Sequence, residues 1–153
     1  MAGKSKGYAV APLAVAVAAV AAPLLLRSVP ALGFALQRGF ALVCHQQPER
    51  SFFLFGGSVA VCARCLGIYF GAAAGLLLRL PRRMAMRILV TAVTLNLLDW
   101  LAETLGLHGN WILLRFVLGI ALGTAASMII VASSDSPTQA MQAWTFFRPE
   151  DNT

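Results

Sequence analysis

The sequence predicts an all-α, polytopic membrane protein of about four transmembrane helices, with an interfacial segment between the first two. Two observations carry this expectation. Hydrophobic residues make up 59% of the 153 positions and charged residues 12%, whereas a soluble domain carries about 25% charged residues. The apolar residues also gather into long, nearly charge-free runs of bilayer-spanning length. A mean hydropathy of +0.76 agrees. The length suits one domain, 1–153.

The first span is placed at 8–26, inside a charge-free stretch from Gly7 to Leu26 that follows Lys4 and Lys6. A cleavable signal also has a basic start, but its apolar region is normally about 7–15 residues. The run here is longer, so a retained helix is expected. The next stretch, 28–43, is apolar but broken by Pro30, Gly33, Arg38 and Gly39. That pattern suits a helix lying in the interface. The polar loop CHQQPERS occupies 44–51.

A second span follows at 57–79, with Arg64 as an internal charge. Pro81, among Arg79, Arg82, Arg83 and Arg87, marks the next turn. The third span, 88–106, contains Asp99 and Glu103, and LHGN at 107–110 makes a short hairpin. His108 in that hairpin reads as a solvated loop residue. The fourth span, 111–133, has Arg115 near its start. Beyond Asp135 the tail is polar, with Trp144, Phe146 and Phe147 suited to resting on the interface.

A net charge of +6 raises nucleic acid as a partner. The position of the basic residues excludes it, because most sit at the ends of apolar runs, where membrane topology places them. The expected partner is the lipid bilayer. With both termini cytoplasmic, the inner side holds Lys4, Lys6, Arg79, Arg82, Arg83, Arg87 and Arg148. The outer side holds Arg27, Arg38 and Arg50. Positive residues favour the cytoplasmic side, so this orientation is expected, and the 44–51 loop then faces outward. The chain is accordingly expected as a multi-pass protein of the cell membrane.

Small residues recur every four positions as Gly67, Gly71 and Gly75 on the second span, and as Gly119, Gly123 and Ser127 on the fourth. Such spacing lets helices approach closely, either within the chain or in a homo-oligomer.

The chemistry concentrates in four residues. Cys44 and His45 are adjacent, and Cys62 and Cys65 form a CARC motif. Together they offer three sulfurs and one imidazole, a ligand set for tetrahedral zinc. Cys62 and Cys65 are three apart and share a helical face, with Tyr69 one turn further along it. Arg50 and Arg64 are close enough in sequence to offset the negative charge of a three-thiolate site. Charges inside a membrane are costly, so Asp99, Glu103 and Arg115 are expected to be paired or functional. Counted from the hairpin at about 1.5 Å per residue, Glu103 and Arg115 match in depth better than Asp99 and Arg115. Asn96, Asp99 and Glu103 share one helical face.

The runs CHQQPERSFFLFG and VCARCLGIYFG resemble an uncharacterised bacterial and archaeal membrane-protein family, domain of unknown function 2085. The matching positions are Cys44, His45, Gln46, Pro48, Arg50, Ser51, Phe52, Cys62, Arg64, Cys65, Gly67, Ile68, Tyr69 and Gly71. Downstream, Asp99, Asn110 and Arg115 fit a looser pattern. Trp100 and Glu103 stand where the family tends to have glycine and glutamine. The resemblance covers roughly Ala41 to Ala125. It implies a helical membrane protein with a Cys/His site and names no activity.

Three functions fit these residues. The first is a membrane metalloprotein with an outward zinc site at Cys44, His45, Cys62 and Cys65. In it, Arg50, Arg64, Tyr69, Asn96, Asp99, Glu103, Asn110 and Arg115 form a surrounding polar relay. The second is a membrane thiol–disulfide oxidoreductase using Cys62 and Cys65, with Cys44 as an exchanging thiol. The third, resting on Asp99, Glu103 and Arg115, is a channel or transporter subunit.

Overall fold

A computed structural model describes residues 2–78, 81–107 and 109–134. Arg79, His108 and the tail from Asp135, with Trp144, Phe146, Phe147 and Arg148, lie outside the described residues. The described chain is a helical bundle. Its helices are α1 (Ala2–Ser28), α2 (Pro30–Ala41), α3 (Ala63–Leu77), α4 (Arg82–Thr104) and α5 (Ile112–Ser134). A 3₁₀ turn, Pro48–Arg50, and a small ribbon of β1 (Phe53–Leu54) and β2 (Gly57–Ser58) lie between α2 and α3. Three helices are long and apolar enough to cross a bilayer, through Val10–Ser28, Arg83–Thr104 and Ile112–Val131.

The second expected span departs from 57–79. Its helix starts only at Ala63 and has 15 residues, about 22 Å at 1.5 Å per residue. The reason lies in the preceding turn. Phe55 and Gly56 both have positive φ, 51° and 73°, the backbone of a two-residue hairpin that matches strand twist. The chain therefore enters α3 from the ribbon, through bends at Ala60 and Val61. Val59, Ala60 and Val61 are all buried, and their stretch is paired sideways. The Val59 amide donates to the Phe52 carbonyl and the Ala60 amide to the Ala19 carbonyl, at 2.9 and 3.2 Å.

The interfacial segment also differs from a helix lying flat across the end of the first span. After a one-residue break at Val29, α2 turns back along α1. A Cβ on Gly33 would run into the Leu26 backbone, so only glycine permits this approach. Further along, the Gln46 side-chain amide donates to both the Gln37 and Ala60 carbonyls, at 2.7 and 2.8 Å. Since Ala60 is bonded to Ala19, α2 has returned about two turns down α1 by Gln37.

The packed face of α1 is alanine: Ala16, Ala19 and Ala22 are fully buried. Arg27 donates to the Gly56 carbonyl at 3.1 Å, while Ala60 bonds Ala19. As the chain advances toward α3 its partner on α1 recedes, so the two run antiparallel. The centre of the bundle is the contact of α3 with α5. A Cβ on Gly67 would meet the Phe116 carbonyl, one on Gly71 that of Ile120, and one on Gly75 that of Thr124. From the other side, Gly119 abuts the Arg64 carbonyl and Gly123 that of Ile68. The register advances in the same sense on both helices, which are therefore parallel. Both glycine stripes are used inside one chain. A homo-oligomer through Gly67/Gly71/Gly75 or Gly119/Gly123 would require α3 and α5 to separate.

The fourth expected span coincides with α5 to within a residue at each end. The third, α4, begins earlier than 88, directly after Pro81. On it Ala85, Ala92 and Asp99 are buried, seven residues apart, and the flanks expose Val90, Val93, Leu97 and Leu101. One narrow stripe thus faces α5 and the rest suits lipid.

Candidate metal centre and its ion-pair chain

Three sulfurs converge where the loop, the ribbon and α3 meet. The Sγ atoms of Cys44, Cys62 and Cys65 all lie within 4.8 Å of one another. Cys62 is the extended residue that caps α3, and Cys65 sits in its first turn. That placement sets their spacing rigidly, because α3 is locked to α5. Cys44 arrives on a separate segment, just after α2. Its sulfur accepts the Cys62 backbone amide at 3.2 Å, satisfying a donor that the helix start leaves without a partner. Cys44 is buried, while Cys62 and Cys65 are half-buried. Tyr69 packs against the same cluster one turn deeper.

His45 is not in this group. It is exposed, and the donors gathered within 4.8 Å are the three sulfurs. Adjacent side chains diverge, and here Cys44 is buried while His45 is exposed.

Beside the sulfurs runs a continuous chain of ion pairs. Arg50 contacts Glu103 at 3.0 Å, Glu103 contacts Arg115, Arg115 lies 3.7 Å from Asp99, and Asp99 contacts Arg64 at 2.6 Å. Asp99 and Arg115 are buried; the Arg50 side chain, at the loop end, is 42% exposed. The chain joins the loop, α3, α4 and α5. Asn96 lies below it, its amide donating to the Ala92 and Leu118 carbonyls at 2.8 and 3.3 Å. Asn110, in the turn before α5, donates to the Glu49 carbonyl.

The Glu103–Arg115 contact is the one that matched depth implied. The Arg64–Asp99 contact was missed, although a signal existed. Arg64 lies between Cys62 and Cys65, and on a helix that position points away from the face the two cysteines share. Its guanidinium accordingly turns to α4 and not to the thiols. Gln46 was also missed as more than a motif position. It has a φ of 50°, a left-handed backbone uncommon in residues other than glycine. Nothing in the sequence marks that conformation.

Around Phe116 the rings pack edge-on, Phe52 at 5.4 Å and Phe70 at 6.2 Å between centroids. Phe52 follows the loop, so this contact adds an apolar anchor to the polar ones.

The fold and the site together define a small helical membrane protein with a sulfur cluster at one end of its bundle. It belongs to the family described as a predicted membrane protein, domain of unknown function 2085, whose pattern matches residues 44–129, more than half of the chain. All three cysteines fall in that region, and the resemblance carried by the two motifs is thereby shown. An uncharacterised protein of Methanocaldococcus jannaschii is 35% identical over 94 residues, covering 55% of this chain and 58% of the relative. An uncharacterised protein of Methanothermobacter thermautotrophicus is 30% identical over 95 residues, covering 59% of this chain and 86% of the relative. The chain thus spans little more than half of the first relative's length. No solved structure matches.

Proposed function

We propose that this chain is a membrane metalloprotein in which Cys44, Cys62 and Cys65 hold a zinc ion. The observation that carries the reading is the gathering of three sulfurs from two separate segments within 4.8 Å. Sulfurs sharing one tetrahedral zinc at about 2.3 Å would lie about 3.8 Å apart, a small contraction from the geometry found. A donor set of sulfur alone suits zinc and disfavours calcium or magnesium. Charge supports a divalent ion. Three thiolates and a divalent cation sum to minus one. The adjoining chain of Arg50, Arg64 and Arg115 against Asp99 and Glu103 sums to plus one. A water would complete the tetrahedron, or His45 once its exposed side chain turns inward. When bound, the ion would supply a cross-link, tying the 44–51 loop to the head of α3.

The ion pairs favour this reading over a channel or transporter subunit. Asp99, Glu103 and Arg115 each contact an opposite charge, which suits bolting three helices together. The crossing number follows from connectivity. α5 begins at the end of the bundle where α1 finishes, and α4 begins at the other end. The chain between α1 and α4 must therefore traverse the bilayer. Fifteen residues of α3 give about 22 Å, and the buried Val59–Val61 stretch ahead of it supplies part of the remainder of a core of about 30 Å. We take this as a fourth, partly non-helical crossing of the cell membrane.

Metal analysis of the purified protein tests the site. About one zinc per chain is expected. Cys44→Ser, Cys62→Ser and Cys65→Ser should each largely abolish it, because an opened tetrahedron holds the ion too weakly to survive purification. His45→Ala should weaken binding less, since water can replace it. Metal-free protein whose three thiols alkylate without reductant would overturn the reading. One observation favours a second reading, a thiol–disulfide oxidoreductase: the Cys44 sulfur lies within reach of both Cys62 and Cys65. It requires protein without metal, a Cys62–Cys65 pair that resists alkylation until reduced, and no change in that pair on Cys44→Ser.

A further inference from the structure

The three sulfurs are not held alike. Cys62 and Cys65 belong to α3, whose position is fixed by glycine contact with α5. Cys44 belongs to a loop, and its position depends on what holds the loop. Toward α2 the anchor is Gln46, on the Gln37 and Ala60 carbonyls. Toward the ribbon the loop is held from across the bundle. Arg50 reaches Glu103 of α4, and Asn110, before α5, donates to the Glu49 carbonyl. Arg50 and Asn110 both lie toward the surface, where water can compete for these contacts.

We infer that Arg50, Glu103 and Asn110 form a latch that positions Cys44 against Cys62 and Cys65, so that the third sulfur leaves the cluster when the loop undocks from the α4–α5 end. Its consequence for metal rests on the zinc reading; its geometry does not. Glu103 is shared between Arg50 and Arg115, so the latch is the outer end of the same charge chain that joins α3, α4 and α5. Closed, the loop presents three sulfurs. Open, it leaves the Cys62–Cys65 pair, which holds a divalent ion far more weakly. These are positioning residues, acting on the ion only through Cys44.

The test reads Cys44 directly. In full-length protein carrying Cys62→Ser and Cys65→Ser, Cys44 is the sole thiol, and the backbone amide that it accepts remains. Its alkylation by N-ethylmaleimide should be slow. Adding Asn110→Ala or Arg50→Gln should raise the rate about tenfold, the loss of one anchoring contact. Arg50→Lys, which keeps the charge, should restore most of the protection. Cys65, as sole thiol after Cys44→Ser and Cys62→Ser, should react at an unchanged rate in the same latch variants. A Cys44 rate that none of these changes moves would overturn the latch. So would an equal rise at Cys65, which would mean general loosening of the fold. With the native cysteines, Asn110→Ala should also lower the zinc content. Metal-free protein in which the latch variants still expose Cys44 would remove the zinc reading and leave the latch standing. Zinc retained with Cys44 unmoved would do the reverse.

Discussion

Asp99 and Arg115 are the buried charges of the described bundle, and each is in contact with more than one partner. Arg115 meets both Asp99 and Glu103, and Asp99 meets both Arg64 and Arg115. Removing Arg115 leaves a buried carboxylate short of one counter-charge, which costs more than the attraction itself was worth. Arg115→Ala should therefore destabilise by roughly 3 kcal/mol. Glu103→Gln should cost about 1 kcal/mol, because the amide oxygen still accepts from one of the two guanidinium groups that Glu103 now holds on separate oxygens. Thermal melting in detergent compares the two, and equal losses would mean that Arg115 does not depend on Glu103 and Asp99 in this way. Part of this arrangement was legible in the sequence. Distance from the hairpin placed Glu103 and Arg115 at one depth, since helical rise is constant. Closeness in sequence makes Arg64 a counter-charge to the thiols, but its place between Cys62 and Cys65 on a helix turns it away from them.

At the scale of elements, the glycines every four residues on α3 and α5 were readable as packing surfaces. Their partners were not, because the same spacing serves contacts within a chain or between chains. The structure pairs them with each other, so enlarging one should force the helices apart. Gly71→Ala or Gly123→Ala should cost about 1–3 kcal/mol, the usual penalty for overpacking a close contact. Gly39→Ala is the control. It lies in α2 with nothing within 4 Å of an added Cβ, and alanine is the better helix former by about 1 kcal/mol. That variant should melt no lower than the parent. Comparable losses at Gly39 and Gly71 would argue against the tight α3–α5 interface. Positions 57–62, ahead of α3, fall within the expected 57–79 span because they are mostly apolar. Apolar character measures preference for lipid or core, whereas positive φ at Phe55 and Gly56 decides the backbone there.

For the whole molecule, antiparallel α1 and α3 with parallel α3 and α5 bring the start of α1 and the end of α5 to the same end of the bundle. The bias of positive residues makes the cytoplasmic side the expected one for that end. Single cysteines introduced into a cysteine-free background should label from outside at Pro48→Cys and from inside at Arg83→Cys. Labelling of position 48 only after the cytoplasmic side is opened would reverse the orientation and move the thiols into a reducing compartment. The membrane class, the long spans and the cysteine cluster were all legible from composition and motif. The non-helical stretch before α3 was not, since the Ala60 amide finds its acceptor on Ala19, far away in sequence. That dependence bears on how the protein is made. A helix carries its own hydrogen bonds into lipid, but the Val59 and Ala60 amides borrow acceptors from Phe52 and Ala19, and bare amides in hydrocarbon are prohibitive. On the proposed fourth crossing, this segment would not enter the bilayer as an independent unit during synthesis. It would have to wait until α1 is there to receive it, which would make the first helix an assembly template for the segment that carries Cys62 and Cys65.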